Sequence, residues 1–209
     1  MKILIASIKG GSGKSTLSIN IAAALSSTTS SVLILDTDKQ QSSHLWASNR
    51  TTEPKIDSKA IQSKLDVILR AESKNYQNVI VDCPQGILEG TLPKVDLMLI
   101  PFQMTSFSLS TLPFMLEIVK KNKVPSMAVL ANIPTNAGIK NITEYKNYIS
   151  NYTGNKIFMA DTIIYNRKWY VESTSIGQGV TEIVANENSL KNAKTEIYNL
   201  LEEIKRHGN

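Results

Sequence analysis

Residues 9–16 read Lys-Gly-Gly-Ser-Gly-Lys-Ser-Thr. Glycines at 10, 11 and 13 let the backbone curl until successive N–H groups point inward, a cradle for phosphate oxygens. Lys14 adds a mobile positive charge, and the Ser15 hydroxyl is of the type that ligates Mg²⁺. The common form of this loop carries glycine where this chain has Ile8, and here Lys9 opens the loop as a second cation. Two such cations repel one another unless a polyphosphate lies between them. The candidate nucleotide-binding residues are therefore Lys9, Gly10, Gly11, Ser12, Gly13, Lys14, Ser15 and Thr16. Three carboxylates complete the set. Asp36 and Asp38 close the run Val-Leu-Ile-Leu-Asp-Thr-Asp, and Asp82 closes Val-Ile-Val-Asp. A carboxylate on a strand end beside a phosphate loop can hold Mg²⁺, directly or through its water shell. Asp82 is the best placed by sequence. If the strand persisted through Asp38, Asp36 and Asp38 would point the same way, one toward the metal's water shell and one toward an attacking water.

These residues need a frame. Apolar, β-branched runs at Lys2–Ile8, Ser31–Asp36, Asn78–Asp82, Asp96–Pro101 and Ser126–Asn132 read as strands, with a weaker one at Lys156–Ala160. Several are apolar at consecutive positions, as strands buried on both faces require. Helical patterns fall between them at Ser15–Ser27, Ser58–Ser73, Leu109–Lys121, Asn141–Tyr152 and Ser189–Arg206. This alternation predicts a single-domain α/β fold, a mostly parallel sheet with helices on both faces. Ligands bind such sheets at the carboxyl ends of the strands, where residues 9–16 fall.

The 209 residues suffice for one domain with a real core. No apolar run reaches the ~18 residues that span a bilayer. The opening Met-Lys-Ile-Leu-Ile-Ala reads as a strand, not a signal segment, because Lys9 and the glycines follow. A single cysteine, Cys83, excludes intrachain disulfides and paired-cysteine metal sites. The chain is expected in the cytoplasm. Its net charge of +5 suits nucleic acid or anionic lipid. Basic residues exceed acidic ones by 11 to 9 in residues 1–104 and by 12 to 9 in 105–209, so neither half is a basic tail. Trp46 and Trp169 read as packing anchors.

At these residues the chain resembles the ParA/MinD family of deviant Walker ATPases. The likeness rests on residues 9–16, on Asp-Thr-Asp-Lys-Gln-Gln-Ser-Ser at 36–43 and on Val-Ile-Val-Asp-Cys-Pro at 79–84. A weaker echo follows at Asn-Arg-Lys-Trp-Tyr, 166–170, with Gly177, Gly179, Val180 and Glu182. The resemblance implies a slow, Mg²⁺-dependent ATPase with the P-loop fold, binding ATP or ADP. It implies that Lys9 reaches across a homodimer to the partner's ATP, so that two subunits sandwich two nucleotides. Lys14 would then bind the β- and γ-phosphates, Ser15 would hold Mg²⁺, and Thr16 would contact the α-phosphate. Asp38 would orient water, Asp36 and Asp82 would serve the metal, and Asn132 would touch the adenine. Lys39 and Gln41 stand where the family usually has proline and glycine, which implies a less rigid loop after Asp38.

Within the family, iron–sulfur carriers and nitrogenase iron proteins need paired cysteines that this chain lacks. The balanced charge of the last helix disfavours a MinD-like membrane anchor. With no extension before the first strand, the chain resembles the short plasmid ParA proteins. These bind DNA nonspecifically as ATP dimers and are released by a centromere-binding, ParB-like partner that stimulates hydrolysis. DNA contact would fall to Lys120, Lys121, Lys123, Arg167, Lys168, Lys191, Lys194 and Arg206, as a set facing one side. The alternative is a nucleotide switch that positions a protein cargo or docks on membrane.

Overall fold

The computed structural model describes residues 1–26, 30–86 and 92–208. Its strands are β1 (Lys2–Ser7), β2 (Val32–Asp36), β3 (Asp57–Ala60), β4 (Asn78–Gln85), β5 (Leu97–Phe102), β6 (Ser126–Ile133) and β7 (Phe158–Tyr165). The helices are α1 (Lys14–Ser26), α2 (Ser42–Ser48), α3 (Leu65–Glu72), α4 (Ser106–Leu109), α5 (Leu112–Asn122), α6 (Ile139–Thr153), α7 (Lys168–Ser175) and α8 (Asn188–His207). The strands form one sheet in the order β3-β2-β4-β1-β5-β6-β7. Every pairing is parallel.

Alternate side chains of each strand feed opposite layers. Ile3, Ile5 and Ile34 pack with α1, α2, α7 and α8. Leu4, Leu33 and Leu35 pack with α3, α5 and α6 on the other face. Trp46 and Trp169 belong to the first layer, so both are packing residues. Strand β1 is flanked by β4 and β5. From β1 the chain runs out to β2 and β3 on one side, returns in β4 and crosses to β5, β6 and β7 on the other, which opens a crevice at the carboxyl end of β1. The phosphate loop emerges there.

Two sequence expectations need correction. The helix expected at Ser58–Ser73 is edge strand β3 followed by the shorter α3. The polar Asp-Ser-Lys-Ala of β3 gives no apolar signal, but β2 recruits its backbone into the ladder, and Ile61 N–H donates to Asp36 O at 2.7 Å. Lys64, in the left-handed region at φ 58°, then starts α3. The helix expected at Leu109–Lys121 is α5, which starts at Leu112 after the separate short α4, capped by the Thr105 side chain accepting from Ser108 N–H. Ser27, the expected end of α1, lies outside the described residues.

On the β7 side the sheet ends in a closed edge. The β6–β7 register shifts between Ala128 and Leu130, and β7 bulges there. Side chains take up the freed backbone groups. Glu203 accepts from Asp161 N–H at 2.7 Å and from Thr162 N–H at 2.8 Å. The Lys146 ammonium donates to Ala160 O at 2.8 Å and Asp161 O at 2.7 Å. Glu196 accepts from Tyr165 N–H at 3.2 Å.

Candidate functional site

The loop between β1 and α1 needs its glycines for conformation. Gly11 and Gly13 have φ of 69° and 93°, a region in which side chains with a Cβ are strained. Leu17 N–H bonds back to Gly13 O at 2.9 Å and starts α1 behind the loop. The loop is braced from β5, where Gln103 Nε2 donates to Gly11 O at 3.0 Å. Around it lies a cavity of about 730 Å³, lined by residues 10–16, Thr37, Asp38, Lys39, Gln40, Gln62, Pro84 and Gln85. The loop amides, the positive end of α1 and the Lys14 ammonium all favour a polyphosphate there. Lys14 is 8% exposed and makes no ion pair among the described residues, which leaves its ammonium available to a phosphate.

Asp82 is fully buried, and neither of its carboxylate oxygens has a hydrogen-bond partner. An orphaned buried carboxylate is costly unless a cation answers it. Burial, and then the charge of Asp36, push its pKa up to about 6, while nearby Ser15, Ser43 and Lys14 pull it back. Ser15 and Asp82 would hold a hydrated Mg²⁺, whose charge would answer the orphaned carboxylate. Bound there with a nucleotide, the ion would neutralise charge between the β- and γ-phosphates.

The sign of the pH effect follows. A carboxyl whose pKa rises on folding binds protons more tightly in the native state, so stability falls as pH rises through the window between about 4 and 6. Above it, the unliganded protein carries an ionised buried Asp82 at a cost on the order of 3 kcal/mol. Asp82→Asn should therefore raise the apo melting temperature at pH 7.5 by several degrees and flatten its pH dependence. It should also weaken Mg²⁺-dependent nucleotide binding. An unchanged melting profile would count against the orphaned carboxylate.

Asp36 and Asp38 behave differently from one another. Strand β2 stops at Asp36, so the two side chains do not share a strand face as the spacing suggested. Asp36 is fully buried. Its Oδ1 accepts from Asp38 N–H at 3.0 Å. Its Oδ2 accepts from Ser43 N–H at 3.0 Å, Ser43 Oγ at 2.8 Å and His44 N–H at 3.0 Å. These bonds make Asp36 the anchor of the α2 N-terminus. They also fix the loop in which Lys39 and Gln41 replace the family's proline and glycine, with Gln41 held left-handed at φ 53°. Asp38 lines the cavity, and its Oδ1 accepts from Gln40 N–H at 2.9 Å. Thr37 locks β2 to β4, donating N–H and Oγ1 to Asp82 O at 2.9 and 3.0 Å.

Beside the loop, a second hollow of about 170 Å³ is walled by Thr16, Leu17, Ala131, Asn132, Tyr170 and Val171, among others. Its lining sets the apolar Leu17, Ala131 and Val171 beside the polar Thr16, Asn132 and Tyr170. Asn132 lies within β6 at φ 58° and is exposed at its rim. Lys9 does not line the phosphate cavity. Its ammonium donates to Thr105 Oγ1 at 3.4 Å and sits 5.5 Å from the Phe107 ring centroid, over α4.

Among the expected DNA contacts, Arg167 is unavailable. Its Nε donates to buried Glu196 at 2.6 Å, which also accepts from Tyr170 OH at 2.9 Å. Burial raises the Glu196 pKa, and Arg167 opposes the rise. Lys168 pairs with Glu187 at 3.3 Å. The rest do not face one side. Lys120, Lys121 and Lys123 end α5 on one face of the sheet, whereas Lys191, Lys194 and Arg206 ride α8 on the other.

Sequence reasoning missed Gln103, Thr37 and Arg50. Arg50, 2% exposed, forms a bidentate pair with Glu182 and donates to Gly177 O at 2.9 Å. Val180 N–H donates to Asn20 Oδ1 of α1 at 2.8 Å, and a Cβ on Gly179 would fall 2.4 Å from Ala23 Cβ. The 177–182 motif is thus the clamp that seats α1 and α2 together. Its glycine spacing was the available signal.

No curated protein sequence matches this chain. Solved structures share its fold. McdA from Cyanothece, a variant in complex with ATP, is 14% identical with a TM-score of 0.72, covering 98% of this chain and 96% of that one. A Borrelia burgdorferi B31 protein assigned to plasmid partition, bound to AMPPNP, is 19% identical at TM-score 0.63, covering 97% and 99%. The septum site-determining protein MinD of Pyrococcus horikoshii OT3, with Mg-ADP, is 16% identical at TM-score 0.71, covering 98% and 96%. At such identities they speak for the fold alone. The sequence itself matches the family model described as the CobQ/CobB/MinD/ParA nucleotide binding domain over residues 3–205. A phosphate cradle with its lysine at the end of β1 and an orphaned carboxylate on neighbouring β4 stand within that match, and the chain belongs to the CobQ/CobB/MinD/ParA nucleotide-binding domain family.

Proposed function

We propose that this protein is a ParA-like ATPase for DNA partition. ATP closes a sandwich dimer, the dimer binds DNA without sequence preference, and a ParB-like partner stimulates hydrolysis and releases it. The observation that carries this reading is Lys9, a loop lysine that lies outside its own phosphate cavity and beside an exposed phenylalanine. A cation so placed serves a phosphate that another subunit brings. Within each subunit, Lys14, the loop amides and Thr16 bind the nucleotide's phosphates, Asn132 borders its base, and Asp38 orients water. The solved relatives that hold ATP, AMPPNP and Mg-ADP support a nucleotide and Mg²⁺ as the ligands.

The final helix argues against the membrane alternative. Leu190, Ala193, Ile197, Leu200 and Ile204 are fully buried, and Glu196 and Glu203 tie the helix to β7. Such a helix has no apolar face left to insert into lipid. No helix among the described residues is long and apolar enough to cross a membrane.

Co-sedimentation with DNA and with liposomes tests the reading, in ADP, in ATP and without nucleotide, at two salt concentrations. ATP-dependent, salt-sensitive DNA binding is expected, and ATP-dependent liposome binding in its place would sink the proposal. Lys9→Ala should keep monomeric ATP binding within a few-fold and abolish the ATP-dependent dimer in sedimentation velocity. Asp38→Ala should hold an ATP dimer on DNA, with turnover lowered by about 10²-fold or more, the scale of a lost water-positioning group. Wild-type turnover in that variant would remove Asp38 from the mechanism.

A further inference from the structure

Resting on the partition reading, we propose that the sheet edge remote from the nucleotide is the surface that takes the DNA backbone. In a parallel sheet the strand N-termini gather at one edge, opposite the phosphate loop. One lysine stands ahead of or at the start of each of four adjacent strands: Lys2 for β1, Lys94 for β5, Lys123 for β6 and Lys156 for β7. Adjacent strands lie ~4.8 Å apart, so the row spans roughly 14 Å. Lys94, Lys123 and Lys156 are exposed, and none makes an ion pair among the described residues. Lys2 shares its charge with Asp96 at 3.6 Å.

Two features extend the row into a surface. Leu92 N–H donates to Asn122 Oδ1 at 2.9 Å, which fastens the Lys94 segment beside the α5 end that carries Lys120 and Lys121. Next to it, a groove of about 390 Å³ is lined by Lys2, Lys94 and Arg70, the last paired with the groove's one carboxylate, Asp66, at 2.8 Å. Helix dipoles explain lysines at helix C-termini, and so account for Lys120 and Lys121. They account in the same way for Lys123, the α5 C-cap, and Lys156, two residues past the α6 C-cap, but not for Lys2 or Lys94, which begin or precede strands. A row of point charges with no helix presented to read bases suits a duplex backbone, contacted through phosphates without sequence preference. A lipid surface would call for apolar side chains beside the cations. The most exposed phenylalanines, Phe107 and Phe114, instead stand at the starts of α4 and α5, toward the nucleotide edge.

This placement gives nucleotide control without any change in the edge itself. Subunits joined at their nucleotide faces carry two basic edges pointing away from one another. A duplex on one edge leaves the other free for a second duplex, so the dimer joins two DNA segments and gains avidity where DNA is dense.

The test is Lys94→Gln/Lys123→Gln/Lys156→Gln, compared with Lys191→Gln/Lys194→Gln on the other flank. Binding of a short DNA duplex is followed by fluorescence anisotropy with ATP across a salt series, alongside ATP turnover and dimerisation. The triple variant should bind at least tenfold more weakly at low salt, and its slope of log K against log[salt] should fall by about 3, near 0.9 per lost contact. Turnover and dimerisation should stay at the wild-type level, and the α8 pair should keep the wild-type slope. A wild-type slope in the triple variant, or a loss confined to the α8 pair, overturns the edge as the interface. A wild-type protein that binds no DNA in any nucleotide state, but does bind phosphatidylglycerol vesicles, overturns the partition reading itself.

Discussion

Replacing Lys14 by methionine is expected to weaken ATP binding by at least about a hundredfold and to leave the unliganded fold intact. The two halves of this expectation have separate causes. The Lys14 stem is packed, its residue being 8% exposed, and methionine keeps most of that contact. The ammonium has no carboxylate partner among the described residues, so its loss breaks no ion pair. What disappears is the charge that faces the phosphates. Hydrogen bonds to charged groups are worth ~1.5–3 kcal/mol each, and two such bonds correspond to a hundredfold or more. Calorimetric titration with ATP, paired with a thermal melt, reads both halves. Near-parental affinity would remove Lys14 from the site, and a collapsed melt would show that its role is structural.

Arg50→Met is expected to have the largest effect on stability of any single change outside the core. The Arg50 side chain is fully buried and the Glu182 side chain is 9% exposed. Besides that bidentate pair, Arg50 donates to Gly177 O at 2.9 Å and Pro54 O at 3.2 Å, and covers the Trp46 ring at 5.3 Å. Removing one member of a buried pair leaves the other charge uncompensated, a loss of ~3–5 kcal/mol. For a chain of this size that lowers the melting temperature by roughly 6–20 °C. The double variant Arg50→Met/Glu182→Leu should recover much of the loss, because the desolvation of both charges disappears together. A single variant melting within a degree or two of the parent would show that the clamp carries no load.

The parts of this molecule legible in its sequence were those whose signal is local. The loop at 9–16 carries its own conformational requirement in glycines, and Gly11 and Gly13 take the positive φ that the pattern implies. Runs such as Ile-Leu-Ile-Ala in β1 are apolar on both faces because both faces are covered, so the parallel sheet was readable from composition and spacing. What was not legible depended on partners distant in sequence. Strand β3 is polar and short, and only the β2 ladder makes it a strand. Asp36 and Asp38 looked equivalent at two-residue spacing. The capture of Asp36 by α2 amides seven and eight residues on separates them, and a strand pattern cannot show that the strand stops there. Arg167 looked like any surface cation until Glu196, 29 residues away, paired with it. The basic residues as a whole showed no grouping along the chain. Their order appears only once the strand order of the sheet assembles them.

The bulged margin at β7 has a consequence for assembly. A regular outer strand offers free amides and carbonyls on which another chain can template itself, the usual route to runaway fibres. Here Glu203, Glu196 and Lys146 occupy the backbone groups that the bulge releases. The opposite margin, β3, offers only four residues. Lateral growth by donated strands is thus obstructed at one border and starved at the other.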